Sequence, residues 1–377
     1  MLTGLAVKER ALELGFDLAG IAPIGISQEL EFARRWVERG FHGEMRYLEN
    51  PKRFDPRRVL PSARSAICVG MVYKSRIQDS GFGIQEEHDR KRIQDSGFGI
   101  QGKQSRSDEF PFSSFQFPVS SFQFPVSSQA PRACISRYAW GRDYHETMRA
   151  KLERLRAALE GMAPGVEARV FVDTGPVNEK ALARFSGLGW MGKNTCILNQ
   201  EKGSWFFLGV ILASVELEPD LPAADRCGSC TACLEACPTG ALVEPYVMDA
   251  SRCISYFTIE LRGSIPAAFR PQMGANLFGC DICQEVCPWN KSHQLSVVSS
   301  QFSLEALASI GEDDFRRLFA HSPIKRAKYR GWLRNLCVVM GNSGDLKFVP
   351  WLEEAAKHSD PVVREHAAWA LGRLRAK

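Results

Sequence analysis

The chain has 377 residues, of which 45% are hydrophobic and 24% charged, with a net charge of +5. This is ordinary globular composition with material for two or three domains, which excludes a collagenous or wholly disordered chain. The mild positive balance does not by itself demand a polyanion partner.

Residues 1–14 carry Lys8, Glu9, Arg10 and Glu13 and read as an amphipathic helix opened by Thr3, not as a secretory leader, so a cytoplasmic protein is expected. Residues 14–22 read as a helix end, a turn and a strand, and 65–73 as a second strand, which is an α/β pattern. From 74 to 133 the character changes. The ten residues 76–85 recur verbatim at 92–101, and the seven residues 113–119 recur at 120–126. Two unrelated short periods look like duplication in the coding DNA and not a solenoid, and the Ser, Gln, Phe and Pro content predicts a disordered insertion.

Globular patterning resumes at Arg137. The spacing predicts a helix over 147–159, a strand over 168–172 that ends at Asp173, and a helix over 178–185. A glycine-dense loop over 187–194 precedes strands at 195–198 and 206–214. The longest apolar run, 205–215, is too short to span a membrane and suits a buried strand. After 295 the chain reads as helical. Asp360 is a natural N-cap with Pro361 at the first helical position, and Val363, Ala367, Ala370, Leu371 and Leu374 share one face. With 349–356 this makes one HEAT-like pair.

Twelve cysteines are present, and eight lie between 227 and 287. Cys68, Cys134, Cys196 and Cys337 are scattered and read as small buried residues. Cys227, Cys230, Cys233 and Cys237, followed by Pro238, have the C-x2-C-x2-C-x3-C-P spacing of a ferredoxin. Cys280, Cys283 and Cys287, followed by Pro288, repeat it with one cysteine short, and Cys253 is the replacement. Reciprocal exchange of the fourth ligand then gives Cys227, Cys230, Cys233 and Cys287 to cluster one, and Cys237, Cys253, Cys280 and Cys283 to cluster two. Two [4Fe–4S] clusters carry electrons singly and do not name a reaction.

Seven runs supply more: R-Y-A-W-G-R-D-Y-H at 137–145, D-T-G-P-V-N-E-K at 173–180, G-L-G-W-M-G-K-N at 187–194, G-S-W-F-F-L-G at 203–209, R-C-I-S-Y at 252–256, F-G-C-D at 278–281 and C-P-W-N at 287–290. Together they resemble the epoxyqueuosine reductases over nearly the whole chain outside the insertion. The resemblance implies an α/β cobalamin-binding domain over 1–220, a ferredoxin-like two-cluster module over 221–295 and an all-α, HEAT-like domain over 296–377. It implies cobalamin beside the two clusters, and reduction of the epoxide of epoxyqueuosine to queuosine at the tRNA wobble base. Asp173 would be the general acid, its pKa raised by burial. Asp173, Lys193, Asn194, Ile197, Leu208 and Ser255 would approach the corrinoid. The D-x-H-x-x-G signature is absent, so no histidine from that motif is expected on cobalt.

The helical end is basic without interruption, with no acidic residue between Phe315 and Gly344. Lys325, Arg326, Arg330 and Arg334, interleaved with Tyr329 and Trp332, are the expected tRNA contacts. An external low-potential electron donor and a monomeric state complete the expectation. The competing readings are a reductive dehalogenase-like corrinoid enzyme and a non-catalytic electron-transfer protein.

Overall fold

The structure, a computed structural model, describes residues 2–25, 27–73, 131–293 and 301–376. The verbatim repeats, and most of the expected insertion over 74–133, lie outside the described residues. In the first part, α1 (Gly4–Glu13), β1 (Leu18–Pro23), α2 (Ser27–Glu38), β2 (Ser65–Val72), β3 (Arg132–Ile135), α3 (Tyr144–Met162), β4 (Ala168–Phe171), α4 (Glu179–Phe185), β5 (Trp190–Met191), β6 (Ile197–Leu198) and β7 (Phe206–Ala213) follow one another. Thr3 caps α1 as its sequence suggests, accepting from the Ala6 N–H at 3.3 Å.

Helices and strands mix as expected, but the main sheet is antiparallel throughout, in the order β1-β2-β7-β4. β2 and β7 sit at its centre with both faces covered. One face packs Ile21, Ile67 and Ile211 against Val7 of α1 and Met148, Leu152 and Leu155 of α3. The other packs Ala66, Cys68, Val210 and Leu212 against Ala181 and Leu182 of α4. Double burial explains the unbroken apolar run of β7, because such a strand has no solvent face to alternate with. Gly209 makes room for α3: a Cβ there would lie 2.8 Å from Met148 Cε.

The cysteine region holds little regular structure: α5 (Ala232–Ala236), β8 (Leu242–Glu244), β9 (Val247–Met248), α6 (Ile254–Ile259), β10 (Asn276–Phe278) and α7 (Ile282–Glu285). The last part contains β11 (Gln301–Ser303), α8 (Leu304–Ala308), α9 (Glu312–Leu318), α10 (Lys328–Ser343), α11 (Val349–Ala355) and α12 (Pro361–Arg375). Asp360 caps α12 through the N–H groups of Val362 and Val363. α12 packs on both α10 and α11.

The cores do not follow chain order. β3, from the first part, lies between β10 and β11 in a three-stranded sheet. Ala133, Ile135 and Trp140 accordingly pack with Leu277, Phe278 and the helical residues Trp332, Leu336 and Met340 in one cluster. Residues from all three parts of the chain thus share a core.

α10 carries the main polar connection. Arg334 is 2% exposed. Its Nη1 donates to the carbonyls of Leu261 and Gly263 at 2.7 and 2.9 Å, and its Nη2 donates to Phe257. Asn335 donates to the carbonyls of Thr258 and Leu277 at 2.9 and 3.0 Å. The expectation that Arg334 contacts tRNA is therefore overturned: the guanidinium is consumed by backbone carbonyls that have no helix or sheet partner. Trp332 and Asn335 are fully buried, and Tyr329 is half-buried with its hydroxyl directed to the Ile310 carbonyl, so neither aromatic ring offers a stacking surface.

Arg334→Ala leaves these carbonyls without donors inside a closed core, and should destabilise the protein by about 3 kcal/mol. A thermal melt together with iron content per chain measures this, and an unchanged melt would remove the connecting role from Arg334.

Candidate active site and cluster-binding chambers

All twelve cysteines are free thiols. Cys227, Cys230, Cys233 and Cys287 line one chamber of about 270 Å³, with Leu198, Pro288 and Trp289 among its walls. Cys287 reaches it because α5 and α7 pack on each other and bring the two C-x3-C-P turns together. Among the described residues no three His, Cys, Asp or Glu side chains converge tightly enough for a single metal ion. Four thiols spread around a chamber instead suit a cubane, which presents several irons to separate ligands.

The other quartet is also assembled. Burial pushes the Cys280 thiol up, and negative charge at Cys253 and Cys237 adds to the effect. Cys283 is pushed up by burial first, then by Cys196, Cys280 and Cys253. The Ala241 N–H points at Cys237 Sγ at 3.2 Å, the kind of donor that steadies a thiolate. Both quartets suit an iron–sulfur cluster.

Asn290, fully buried, fastens the module to the first part of the chain. Its Oδ1 accepts from the Ser204 N–H at 2.7 Å, and its Nδ2 donates to Ser204 Oγ and the Gln284 carbonyl. Gly203 is required here, since a Cβ would lie 2.1 Å from Asn290 Oδ1.

A second, larger cavity of about 660 Å³ opens between α2, α4 and the cysteine region. Phe32, Trp36, Phe54 and Met248 give it apolar walls; Glu29, Asp173, Glu179 and Asp225 are its carboxylates. Among the described residues, three of the four non-glycine residues with positive φ, Asp173, Thr195 and Tyr246, lie on this cavity. Backbone strain of this kind costs about 1–3 kcal/mol per residue and persists where the surroundings enforce it, commonly at functional sites. Trp190 belongs to the cavity wall and also packs with Leu198 and Cys287, its ring 5.0 Å from that of Trp289. Trp190 thus faces the cavity and packs against Leu198, Cys287 and Trp289, which line the four-cysteine chamber.

Asp173 stands at the end of β4 with φ 49°. Arg53 holds its loop, donating to the Asp173 and Val177 carbonyls at 3.2 and 3.1 Å. The Tyr144 hydroxyl donates to Asp173 Oδ2 at 2.8 Å. His145 Nε2 lies 3.3 Å from the same oxygen, an ion-pair distance without good hydrogen-bond alignment. On its other side, His145 Nδ1 is 2.7 Å from Asp143 Oδ1, and Asp143 Oδ2 is 2.8 Å from Lys325 Nζ.

This network reverses the expected protonation of Asp173. Desolvation in the cleft acts to raise its pKa, but the adjacent His145 imidazole, the Tyr144 hydroxyl bond and the Arg53 charge outweigh it and hold the carboxyl below its ordinary value. The side chain is also 64% exposed, so enclosure is too weak to keep it neutral. The proton sits on His145 instead. Burial would lower the imidazole, but Asp143 and Asp173 on either side raise it to about 9.

The remaining expected contacts divide. Lys193 and Asn194 line the four-cysteine chamber, not the larger cavity. Lys193 Nζ donates to the Gly228 and Cys230 carbonyls, and Asn194 Nδ2 to the Cys283 carbonyl. Ile197 and Leu208 pack in the layer beneath α4. Ser255 lies beside Cys253, where it and Tyr256 lower the thiol pKa against the stronger effect of burial, which raises it. Tyr144, His145, Arg53 and Glu179 are functional candidates that patterning did not single out. Three lie in the runs quoted above, but no spacing rule says that 143–145 meets 173 across the fold.

Two outcomes are expected. Cys237→Ala should disturb the cluster held by Cys253, Cys280 and Cys283 and spare the other, as read by electron paramagnetic resonance of the reduced protein. Because the folded pKa of His145 is raised from 6.5 to about 9, its stabilising contribution is complete below pH 6.5 and is lost as pH rises through 9. His145→Gln should therefore flatten the change in melting temperature between pH 6.5 and 9.

Comparison with known proteins agrees with this construction. Residues 226–290 match the family model for a 4Fe-4S double cluster binding domain, and residues 118–174 match "Epoxyqueuosine reductase QueG, DUF1730". The epoxyqueuosine reductase of Pseudomonas aeruginosa is 37% identical over 383 residues, covering 98% of this chain and 93% of that one. That of Escherichia coli K12 is 35% identical over 382 residues, covering 97% and 88%. A crystal structure of epoxyqueuosine reductase with an epoxyqueuosine-modified tRNA-Tyr stem loop superposes with a TM-score of 0.78 at 29% identity, covering 98% of this chain and 89% of that chain. With the two cysteine quartets and the carboxylate-lined cavity in place, this chain belongs to the epoxyqueuosine reductase family.

Proposed function

We propose that this protein reduces the epoxide of epoxyqueuosine to the alkene of queuosine in tRNA, with electrons passed through two [4Fe–4S] clusters to cobalamin in the large cavity. The observation that carries the reading is the position of Trp190, with the four-cysteine chamber on one side and the cavity of Asp173 on the other. The cavity's chemistry fits a corrinoid: apolar walls for a broad macrocycle, and buried polar atoms at Glu179 Oε1 and Trp190 Nε1 that have no protein partner. Trp190, Met191, Thr195, Tyr246 and Met248 would hold it. When bound and reduced, cobalamin supplies a strongly nucleophilic metal centre and the reducing electrons.

The protein's own part is proton management. Converting an epoxide to an alkene consumes two electrons and two protons and releases water. As the carbon–oxygen bond opens, negative charge builds on oxygen and requires a positioned acid. His145 stores a proton beside Asp173 Oδ2, and Tyr144 fixes that oxygen's orientation. Asp173 takes up the imidazolium proton and relays it to the opening oxygen. Arg53 keeps the strained loop in place while this happens.

The RNA surface follows from the mouth of the same cleft. Tyr47 is 45% exposed, and the guanidinium carbons of Arg53 and Arg326 each lie 5.7 Å from its ring. Arg326 is held by both oxygens of Glu260, Arg330 by Asp360 and Lys325 by Asp143. Lys325, Arg326 and Arg330 remain between 43% and 46% exposed, as phosphate contacts must be. Lys325 and Arg326 stand in the turn before α10 and Arg330 in its first turn, and Asp360, the cap of α12, steadies that edge. Among the described residues no helix is long and apolar enough to cross a membrane.

The test is nucleoside mass spectrometry of tRNA from cells that accumulate epoxyqueuosine. Supplying this gene should convert the epoxide to queuosine. Asp173→Asn should keep its clusters and lose turnover by about 10²-fold or more, whereas full turnover would remove the acid role. Arg326→Ala should weaken stem-loop binding several-fold and lower the salt dependence by about one charge. Unchanged binding would place the RNA elsewhere.

A further inference from the structure

Glu179 is unexplained by the proton network. It opens α4 and is 9% exposed, and it lines the large cavity with Oε1 lacking any hydrogen-bond partner. A buried carboxyl oxygen left alone costs about 1–3 kcal/mol. The surrounding elements present Asp173 from the β4–α4 loop, Lys180 and Arg184 from α4, Arg53 and Glu29 from the opposite wall, and Asp225 from the cysteine region. None of these reaches Oε1.

We propose that Glu179 is a binding residue whose neutral carboxyl pairs with a primary carboxamide on the molecule that fills the cavity. The chemistry is complementary at both positions: the acid O–H donates to the amide carbonyl while the amide N–H donates to the acid carbonyl. A carboxylate would satisfy only the second of these bonds. A corrinoid rim carries several such carboxamide arms, so the inference rests on the reading of the cavity given above and deepens it.

The environment keeps the acid form. Burial is the largest cause and the Asp173 charge the next, and together they overcome Arg53 and Lys180 and raise Glu179 to about 8. Asp173 and Glu179 therefore divide the labour: on the same cavity, the first is ionised and the second holds its proton.

The experiment titrates the protein, with both clusters intact, with hydroxocobalamin and follows visible absorption. Glu179→Ala should weaken binding about tenfold, equivalent to about 1.4 kcal/mol. Glu179→Gln preserves a neutral donor–acceptor pair and should bind within about threefold of the parent. As pH rises through 8, where Glu179 ionises, parent affinity should fall more steeply than that of Glu179→Gln, whose profile carries only the titration of the probe and of His145. The monocarboxylic derivatives of the propionamide arms give an independent measure that holds even if the alanine variant misfolds. The parent should discriminate against one of them, and Glu179→Gln should treat that derivative differently.

Parent protein that binds hydroxocobalamin, with equal affinity in both variants and matching pH profiles, overturns the proposal alone. Parent protein that binds stem loop but no hydroxocobalamin overturns the reading of the cavity, and this proposal with it.

Discussion

A buried arginine with no acidic partner holds the electron-transfer module in place. Arg334 and Asn335 project from α10 into a region where the chain carries cysteines in place of aliphatic residues, and they bond the carbonyls that the irregular backbone leaves open. Burial lowers the Arg334 pKa to about 10, aided by the nearby positive charges of Arg262 and Arg330, which still leaves it charged at neutral pH. The bonds it makes fall on α6 and the loop after it, next to Cys253. Asn335 adds β10, next to Cys280. The ligand loops are thus shaped by a helix remote from them in sequence, and the clusters inherit their framework from the C-terminal core.

A second constraint acts where the module meets the first part of the chain. Asn290 needs Gly203 to be without a side chain, and Trp190 fits between two chambers only because β5 and β6 form a short hairpin beside Cys287. On the cavity side, charge is arranged in opposition. Asp143 and Asp173 enclose the His145 imidazolium, while Glu179 is left neutral across the same space. Such placement stores protons at set positions before any substrate arrives, which is the electrostatic preorganisation that enzymes rely on.

What could be read from the sequence depended on whether a signal was local. The eight cysteines announce themselves by spacing, the capping of α12 by Asp360 and Pro361, and the buried strand β7 by its apolar run. The sense of the sheet was not legible, because alternating helices and strands do not reveal which strands become neighbours. The basic run misled for a different reason. Charge counted along a chain cannot tell Arg326, which lies on the surface, from Arg334, one helix residue class further in and wholly enclosed. Asp173 could be located but not its proton, since that depends on Tyr144 and His145 arriving from another helix.

Lys325 belongs both to the exposed basic edge and, through Asp143, to the chain of contacts that ends on Asp173. A phosphate drawn to that ammonium competes with Asp143 for it. Thermodynamic reciprocity then binds the two events: whatever RNA docking does to the charge on Asp143 and His145, the charge on that pair does in equal measure to docking. In the reading proposed here, substrate arrival and acid readiness are a single coupled equilibrium, and the enzyme can sense its tRNA at the surface before the base reaches the cavity.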